Sequence, residues 1–435
     1  NELATEIIVD YLYSKGHQSF AFINVSEKYN FALLRKKGFQ KALKKYSLKF
    51  DKSLYQTTSL EDPSFSKEIT INLFKKNPKY QVSIFDKKNS LNIDEGYGVQ
   101  LSINSVKFLN EIGFNKLEKN QKFNPEKINF YSKKDQDKIC ELDISEFNSN
   151  DCKYTTLKRS TLINFLKKDL EDLIKTNYSV SKIDQEQEKI KLIFENKETH
   201  EFDYLIISDG VFSKSKSLLS KNQIEPKFND TLAIRGIIPS SLNMADKKNI
   251  SLFLGSNFHY VIYPVSPNGD LNFIGLMKFK LSEDEQKDYS LFNDNIFIKK
   301  ILEKVPHLNK EFFDNINDLK IYPVFVSRDF FEVNNNNIHL IGDAFFAFPP
   351  SFAQGASQSI EGAYELFENI ENNTESNFFR NRVNKTKMVN NRSKFNQFAF
   401  HLSNPLTTLL RNIFLKKLVK NKKFLEGYLG KIYKN

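Results

Sequence analysis

The chain has little of several things that would fix a function outright. Its 435 residues include only two cysteines, no tryptophan, six histidines and fifteen glycines. Cys140 and Cys152 have neither the number nor the spacing of a disulfide framework or a metal-ligand set. A reducing cytoplasm is therefore the expected compartment. His17, His200, His259, His307, His339 and His401 form no HExxH and no zinc-ligand pair, and no metal is expected. The absence of GxxxxGKS/T excludes phosphoryl transfer on a phosphate-binding loop, and the absence of GxSxG excludes a nucleophile elbow. No apolar run approaches the roughly 18 residues of a membrane-crossing helix. The chain opens at Asn1-Glu2-Leu3, with no Met and no basic-then-apolar leader, which reads as a truncated start without a signal peptide. GxGxxG is missing as well. The single Gly-x-Gly is Gly96-Tyr97-Gly98, and Leu101 stands where a third glycine would be needed.

What is present is an ordinary globular composition, 40% hydrophobic and 27% charged, with a formal net charge of +11. That charge is local. From Arg380 to Asn435 there are fourteen Lys/Arg against one acid, Glu426, so this tail carries +13 and the remainder −2. A uniformly basic nucleic-acid binder is excluded, and no nucleic-acid partner is expected.

The first seventy residues read as a separate α/β piece. Residues 3–15 repeat apolar positions at helical spacing, SFAFINV over Ser19–Val25 is of strand type, and Leu33–Leu43 is helical again. Gly16-His17 before the strand and Arg35-x-x-Gly38-Phe39-x-x-Ala42-Leu43 after it resemble the ligand-binding domain of the lactose-repressor and periplasmic sugar-binding family. In that family the arginine lies near the sugar pocket. The resemblance covers about residues 1–70, a fragment of one such domain, and implies a half-domain without a ligand.

Further along, strand tips carry the informative residues. Tyr80–Phe85 reads as a strand ending at Asp86, either a ribose-binding carboxylate or a surface residue. Gly96–Leu101, including Gln100, is expected to open a helix running to Gly113. Arg159 starts an amphipathic helix, where it suits a phosphate or flavin edge or simply solvent. The run Phe202–Ile207 reads as a buried strand leading into Ser208-Asp209-Gly210. Ile338–Ile341 reads as a strand leading into Gly342-Asp343, then the rigid Pro349-Pro350, then Gln354-Gly355-Ala356 opening a helix over Ser357–Ile370. A carboxylate at that strand tip can hold sugar-alcohol hydroxyls, and the helix start offers free amide donors and a partial positive charge. An anionic flavin edge needs both.

Taken in order, Asp86, Gly96–Leu101, Arg159, Ser208-Asp209-Gly210, Arg235-Gly236, Tyr263-Pro264 and Gly342-Asp343 with Pro349-Pro350 and Gln354-Gly355 resemble the flavin-dependent aromatic hydroxylases. These are the p-hydroxybenzoate, salicylate and ubiquinone-pathway hydroxylases, matched over about residues 72–435. The resemblance implies an α/β fold: a Rossmann-like FAD domain with an inserted β-sheet substrate domain and a helical tail. It implies FAD as cofactor, NAD(P)H as co-substrate, and O2 as the source of the oxygen delivered to an aromatic or quinone-like substrate. Asp86 would bind the adenosine ribose, and Arg159 and Asp209, followed by Gly210, would lie at the pyrophosphate and the nicotinamide approach. Asp343 after Gly342 would bind the ribityl chain, and Pro350, Gly355 and Ala356 would stand by the ring. No side-chain nucleophile is required, and no catalytic residue is assigned.

Two departures from the pattern stand out. The GxGxxG opening is missing: residues 66–76 read as the back of that first helix and follow the sugar-binding-like fragment, as in a chimera. Phe345-Phe346 stand where many members have Ala-His. The expected segments are 71–114, 155–225 and 329–375 for the FAD domain, 115–154 and 226–328 for the β-rich substrate domain, and 376–435 for the basic tail. Strands at Leu232–Ile238, Ile250–Leu254, His259–Val265 and Leu271–Lys278, with a hairpin turn at Pro267-Asn268-Gly269-Asp270, build the inserted sheet. His259, Tyr260, Tyr263 and Pro349 are candidate pocket residues, with core packing as the alternative for each aromatic. In the tail, Leu406, Leu409, Leu410, Ile413, Phe414 and Val419 recur at helical spacing among lysines. That helix suits either an anionic membrane surface, at the inner face of the membrane, or packing of its apolar stripe on the body. Rival functions are a reductase or halogenase of the same fold, or a ligand-binding chain inactive for want of the phosphate loop.

Overall fold

The computed structural model describes residues 1–58, 80–91, 97–132, 137–149, 151–186, 189–220, 224–240, 246–267, 269–305, 308 and 310–433. Gly96, Asn268, His307 and segment 66–76 lie outside them. The chain divides into two compact units, Asn1–Ser83 and Ile84–Asn435.

In the first unit, α1 (Glu2–Ser14) and α2 (Asn30–Lys45) pack on β1 (Phe22–Val25) and β2 (Tyr55–Thr58), which pair in parallel. Val9, Phe39, Ala42 and Leu43 form its core, against which Phe20, Phe22 and Phe50 pack. Gly38 allows the helices to touch: a Cβ there would meet the Glu2 carbonyl. The Arg35 guanidinium lies 5.1 Å over the Phe31 ring, on the surface of the unit.

The second unit begins with β3 (Ile84–Phe85), β4 (Gly98–Leu101) and α3 (Ile103–Glu111), followed by β5 (Lys127–Ser132) and β6 (Lys138–Asp143). Next come β7 (Thr155–Lys158), α4 (Arg159–Lys167), β8 (Ile174–Lys175), β9 (Val180–Glu186), β10 (Lys189–Phe194) and β11 (Thr199–Phe202). After β12 (Leu205–Ile207) and α5 (Lys214–Leu219) the chain builds four long strands and three short helices. These are β13 (Lys227–Ile238), β14 (Ile250–Gly255), β15 (Phe258–Pro264), β16 (Leu271–Lys278), α6 (Glu283–Lys287), α7 (Asn295–Leu302) and α8 (Lys310–Asp314). It closes with β17 (Asn317–Val326), β18 (Ile338–Leu340), α9 (Gly342–Phe346), α10 (Gly355–Glu371), α11 (Glu375–Phe400), α12 (Pro405–Leu418) and α13 (Lys422–Leu425).

Several elements differ from the sequence reading. Of the run Tyr80–Phe85, only Ile84 and Phe85 find a partner strand, in β8. Gly98–Leu101 is a strand paired with β7, not a helix start, and α3 begins only at Ile103. The run Phe202–Ile207 is broken after Phe202, and Ile206 is 48% exposed rather than buried.

The largest sheet has the order β17-β13-β16-β15-β14-β5-β6, antiparallel except for β14 beside β5. Five of its strands, β13 to β17, lie in sequence between β12 and β18, which pair in parallel, Leu205 with Ile338 and Ile207 with Leu340, while β5 and β6 come from earlier in the chain. A parallel pair requires a crossover, and here the crossover carries those five strands. Residue alternation gives the sheet two apolar faces. On one, Phe258, Tyr260, Ile262 and Phe273 pack under Ile301, Phe312 and Phe313 from α7 and α8. On the other, Phe130, Leu252, Tyr263 and their neighbours meet Val389 and Phe400 of α11 and Leu425 of α13.

A buried polar network fixes the helices. Arg382 on α11 lies 3.2 Å from Glu361 and 3.3 Å from Glu365 on α10, and also donates to the Gln358 side chain at 2.6 Å. Asn104 of α3 donates to Glu361, so one carboxylate ties three helices together.

Candidate functional site

The alternation that buries Tyr260 on one face of β15 presents His259, Val261 and Tyr263 on the other. There they line a cavity of about 440 Å³. Its floor runs across β6, β5, β14, β15 and β16 through Leu142, Phe130, Leu252, Val261 and Ile274, five adjacent strands spanning roughly 20 Å at the usual spacing. Its walls are Gly98 and Gln100 of β4, Asp343 of α9, Pro350, the start of α10 at Gly355 and Ala356, and the inner face of α12.

The loop after β18 is built by conformation as well as sequence. Gly342 has φ +59°, and a Cβ there would lie 3.1 Å from the Ser359 hydroxyl, so glycine is favoured. It turns the chain so that Asp343 faces the cavity. Asp343 is open to the void yet recessed among protein, and this burial raises its carboxyl above the usual range. Pro349 is buried below the loop, its carbonyl accepting from Ser393, while Pro350 reaches the lining. Gln354, fully buried beside Ser102 and Gln358, anchors the start of α10. Space is open where a Gly355 Cβ would project, and the first amides of the helix have no intrahelical partner.

The polar groups in the cavity are few and placed. The Tyr154 hydroxyl donates to Gln100 Oε1 at 2.8 Å, and the Gln100 amide bonds to Tyr263. Burial raises both tyrosines above the ordinary phenol range, so both are neutral donors. Arg235 lies 5.5 Å over the Tyr97 ring and lines the cavity as a cation. His259 Nδ1 is 2.8 Å from His401 Nε2. Burial holds both imidazoles down, His401 to about 4, so the pair is neutral at pH 7.

Of the residues singled out from sequence, Gln100, His259, Tyr263, Asp343, Pro350, Gly355 and Ala356 share this one cavity. The others stand elsewhere. Tyr260 faces the opposite side of the sheet, stacked on Phe253 at 4.4 Å. Asp86 turns back on its own loop, accepting from the Lys88 amide at 2.8 Å. Asp209 accepts from the Ser215 amide in the first turn of α5, after Gly210 at φ +86°. Arg159 opens α4, its amide bonded to the Tyr97 carbonyl at 2.6 Å. Lys216 of α5, 3% exposed, ties the helix that follows the Asp209 loop to α9 by donating to the Ala344 carbonyl at 3.2 Å.

Sequence reading gave Tyr154, Arg411 and the tail residues Leu415, Leu418 and Phe424 no place in the pocket, yet they line it. The helical spacing of the tail was visible; which of its faces turns inward was not. Of the tail stripe read from sequence, Leu406, Leu409, Leu410, Ile413 and Phe414 point outward, while Val419 turns inward and lines the cavity. Among the described residues there is no cluster of His, Cys, Asp and Glu suited to a metal ion, and no helix is long and apolar enough to cross a membrane.

No family model matches the chain. A curated relative, a flavin-dependent monooxygenase from an unknown prokaryotic organism, is 26% identical over 220 residues, 48% of this chain. The match spans 54% of that relative, about half its length. Among solved structures, HpxO of Klebsiella pneumoniae complexed with FAD and uric acid aligns over 80% of this chain and 90% of its own, with TM-score 0.65 and 13% identity. A salicylate hydroxylase substrate complex aligns over 78% and 88%, with TM-score 0.62 and 18% identity. The p-nitrophenol 4-monooxygenase PnpA of Pseudomonas putida DLL-E4 aligns over 82% and 92%, with TM-score 0.65 and 15% identity. The fold is that of the FAD-dependent hydroxylases. The resemblance of residues 1–70 to sugar-binding proteins finds no support in these matches.

Proposed function

We propose that this chain is an FAD-dependent monooxygenase that hydroxylates an aromatic or quinone-like small molecule with NAD(P)H and O2. One observation carries the reading. A strand-tip carboxylate, Asp343, and the uncapped start of α10 face the same cavity as an apolar sheet surface with few, fixed polar groups. The residues fit the ring and sugar-alcohol part of a flavin: a carboxylate acceptor for hydroxyls, free amides for an anionic ring edge, and no Cβ at Gly355 to obstruct close approach. When bound, FAD supplies the electron transfer and oxygen delivery that no side chain can.

The protein's part is binding, orientation and exclusion of water. Asp343 holds the cofactor's hydroxyl chain. The first amides of α10 stabilise negative charge on the ring. The sheet face from Phe130 to Ile274 keeps the reacting atoms dry. Arg235 attracts a phenolate or carboxylate on the substrate, and Tyr263, held by Gln100, donates a hydrogen bond to it. His259, neutral and tied to His401, orients a hydroxyl.

A second reading, a ligand-binding chain that does not hold FAD, is favoured by the placement of Asp86 and Asp209 in their own loops and by the absence of GxGxxG from the sequence. The test is to reconstitute the purified protein with FAD and follow NADH and NADPH oxidation with a panel of phenols and quinones. A substrate-dependent rate with a product heavier by one oxygen supports the proposal. Oxidation without an oxygenated product points to a reductase, and no bound flavin supports the second reading.

A further inference from the structure

Helix α12 is apolar on two sides. Leu415 and Leu418 turn inward and wall the cavity. Leu406, Leu409, Leu410, Ile413 and Phe414, spaced i, i+3, i+4, i+7 and i+8, turn outward and are 64, 56, 44, 42 and 59% exposed. The helix is well made, with Asn404 accepting from the Leu406 amide at 2.9 Å and Pro405 in its first turn. It folds back on the end of α11, where Arg411 donates to the Ala399 carbonyl at 3.3 Å, beside Phe398, which is 66% exposed. A helix apolar all round is ordinarily covered on every side, and a contiguous apolar surface of this kind marks a docking site.

Charge identifies the occupant. Between Ser376 and Leu425 the sequence has twelve Lys/Arg and no Asp or Glu. Arg382 and Lys385 are engaged by Glu361 in the interior. Lys416, Lys417 and Lys420 instead follow directly on the apolar patch, are exposed, and have no ion-pair partner among the described residues. A second copy docked face to face would bring two such cation sets together. Aliphatic and phenylalanine side chains bordered by unpaired lysines match an interfacial helix on anionic lipid.

We propose that the outer face of α12, with Phe398, docks on an anionic membrane surface, its apolar side chains entering the acyl boundary and Lys416, Lys417 and Lys420 meeting headgroup phosphates. The inference stands apart from the proposed reaction. It also sets the apolar wall of the cavity, carried by the same helix, at the lipid boundary.

The test is flotation of the full chain with vesicles of phosphatidylcholine alone and of phosphatidylcholine mixed with phosphatidylglycerol. Two variants accompany it: Ile413→Asp with Phe414→Asp, and Lys416→Glu with Lys417→Glu. All four replaced residues are exposed, and the charge variant leaves the apolar face intact should the first fail to fold. The proposal predicts binding to the anionic vesicles, weakened by salt, and about a tenfold or greater loss in each variant with an unchanged melting temperature. Absence of binding by the parent chain, equal binding to neutral vesicles, or undiminished binding by the variants would overturn it. So would a concentration-dependent dimer that the Ile413→Asp/Phe414→Asp variant dissolves while vesicles are not bound.

Discussion

His259 Nδ1 lies 2.8 Å from His401 Nε2, joining a strand that floors the cavity to the end of α11. Burial lowers both groups; at His401 it outweighs the Leu276 carbonyl, which favours the proton. A histidine depressed in the folded state contributes stability above its unfolded value near 6.5, and that stability is lost as pH falls toward the folded value, about 4 for His401. Between pH 7 and pH 5 the His401 contribution alone falls by about 2 kcal/mol. Urea unfolding at the two pH values measures the loss, and His401→Gln removes this part of the pH dependence.

Arg382→Ala leaves Glu361 buried with Lys385 as its remaining cation. The expected destabilisation is about 3–5 kcal/mol. Thermal melting of the variant measures it. Because the network ties α3, α10 and α11, the loss extends to the start of α10 and weakens ligand binding in the cavity.

Gly98→Ala tests close packing at the cavity wall. A Cβ there would lie 2.7 Å from Asn272 Cβ and Val265 Cγ1 and 2.8 Å from Tyr263. These are body atoms rather than flexible tips, so β4 must shift, at a cost of about 1–3 kcal/mol. The Gly98 amide would lose its 2.6 Å bond to Asn272. Denaturant midpoints of the variant and parent chains give the cost.

Four neighbouring strands of the seven-stranded sheet, β13 to β16, were legible because they alternate or cluster apolar residues, and Leu271–Lys278 was read to the residue, whereas β5, β6 and β17 were not picked out. The Gly342-Asp343 to Gly355-Ala356 segment was legible because glycine, proline and a helix start punctuate it. Gly98 misled: its glycine serves the contact with Asn272, Val265 and Tyr263 in a strand, not a helix opening. Tyr260 misled because neighbouring strand residues face opposite sides, and sequence does not say which side holds the cavity. The inward face of α12 was hidden for a related reason: both its sides are apolar, so periodicity cannot choose between them.

The central claim is that Asp343 and the start of α10 seat a flavin. Titration of the purified full chain with FAD, read by quenching of flavin fluorescence and by retention of visible absorbance through gel filtration, tests it most directly. The account predicts bound flavin in the parent chain. Asp343→Ala, at an exposed position, should weaken binding by roughly 10- to 100-fold, the worth of hydrogen bonds to a charged group, with an unchanged far-ultraviolet spectrum. A parent chain that stays colourless, or a variant that binds flavin as tightly as the parent, would contradict it.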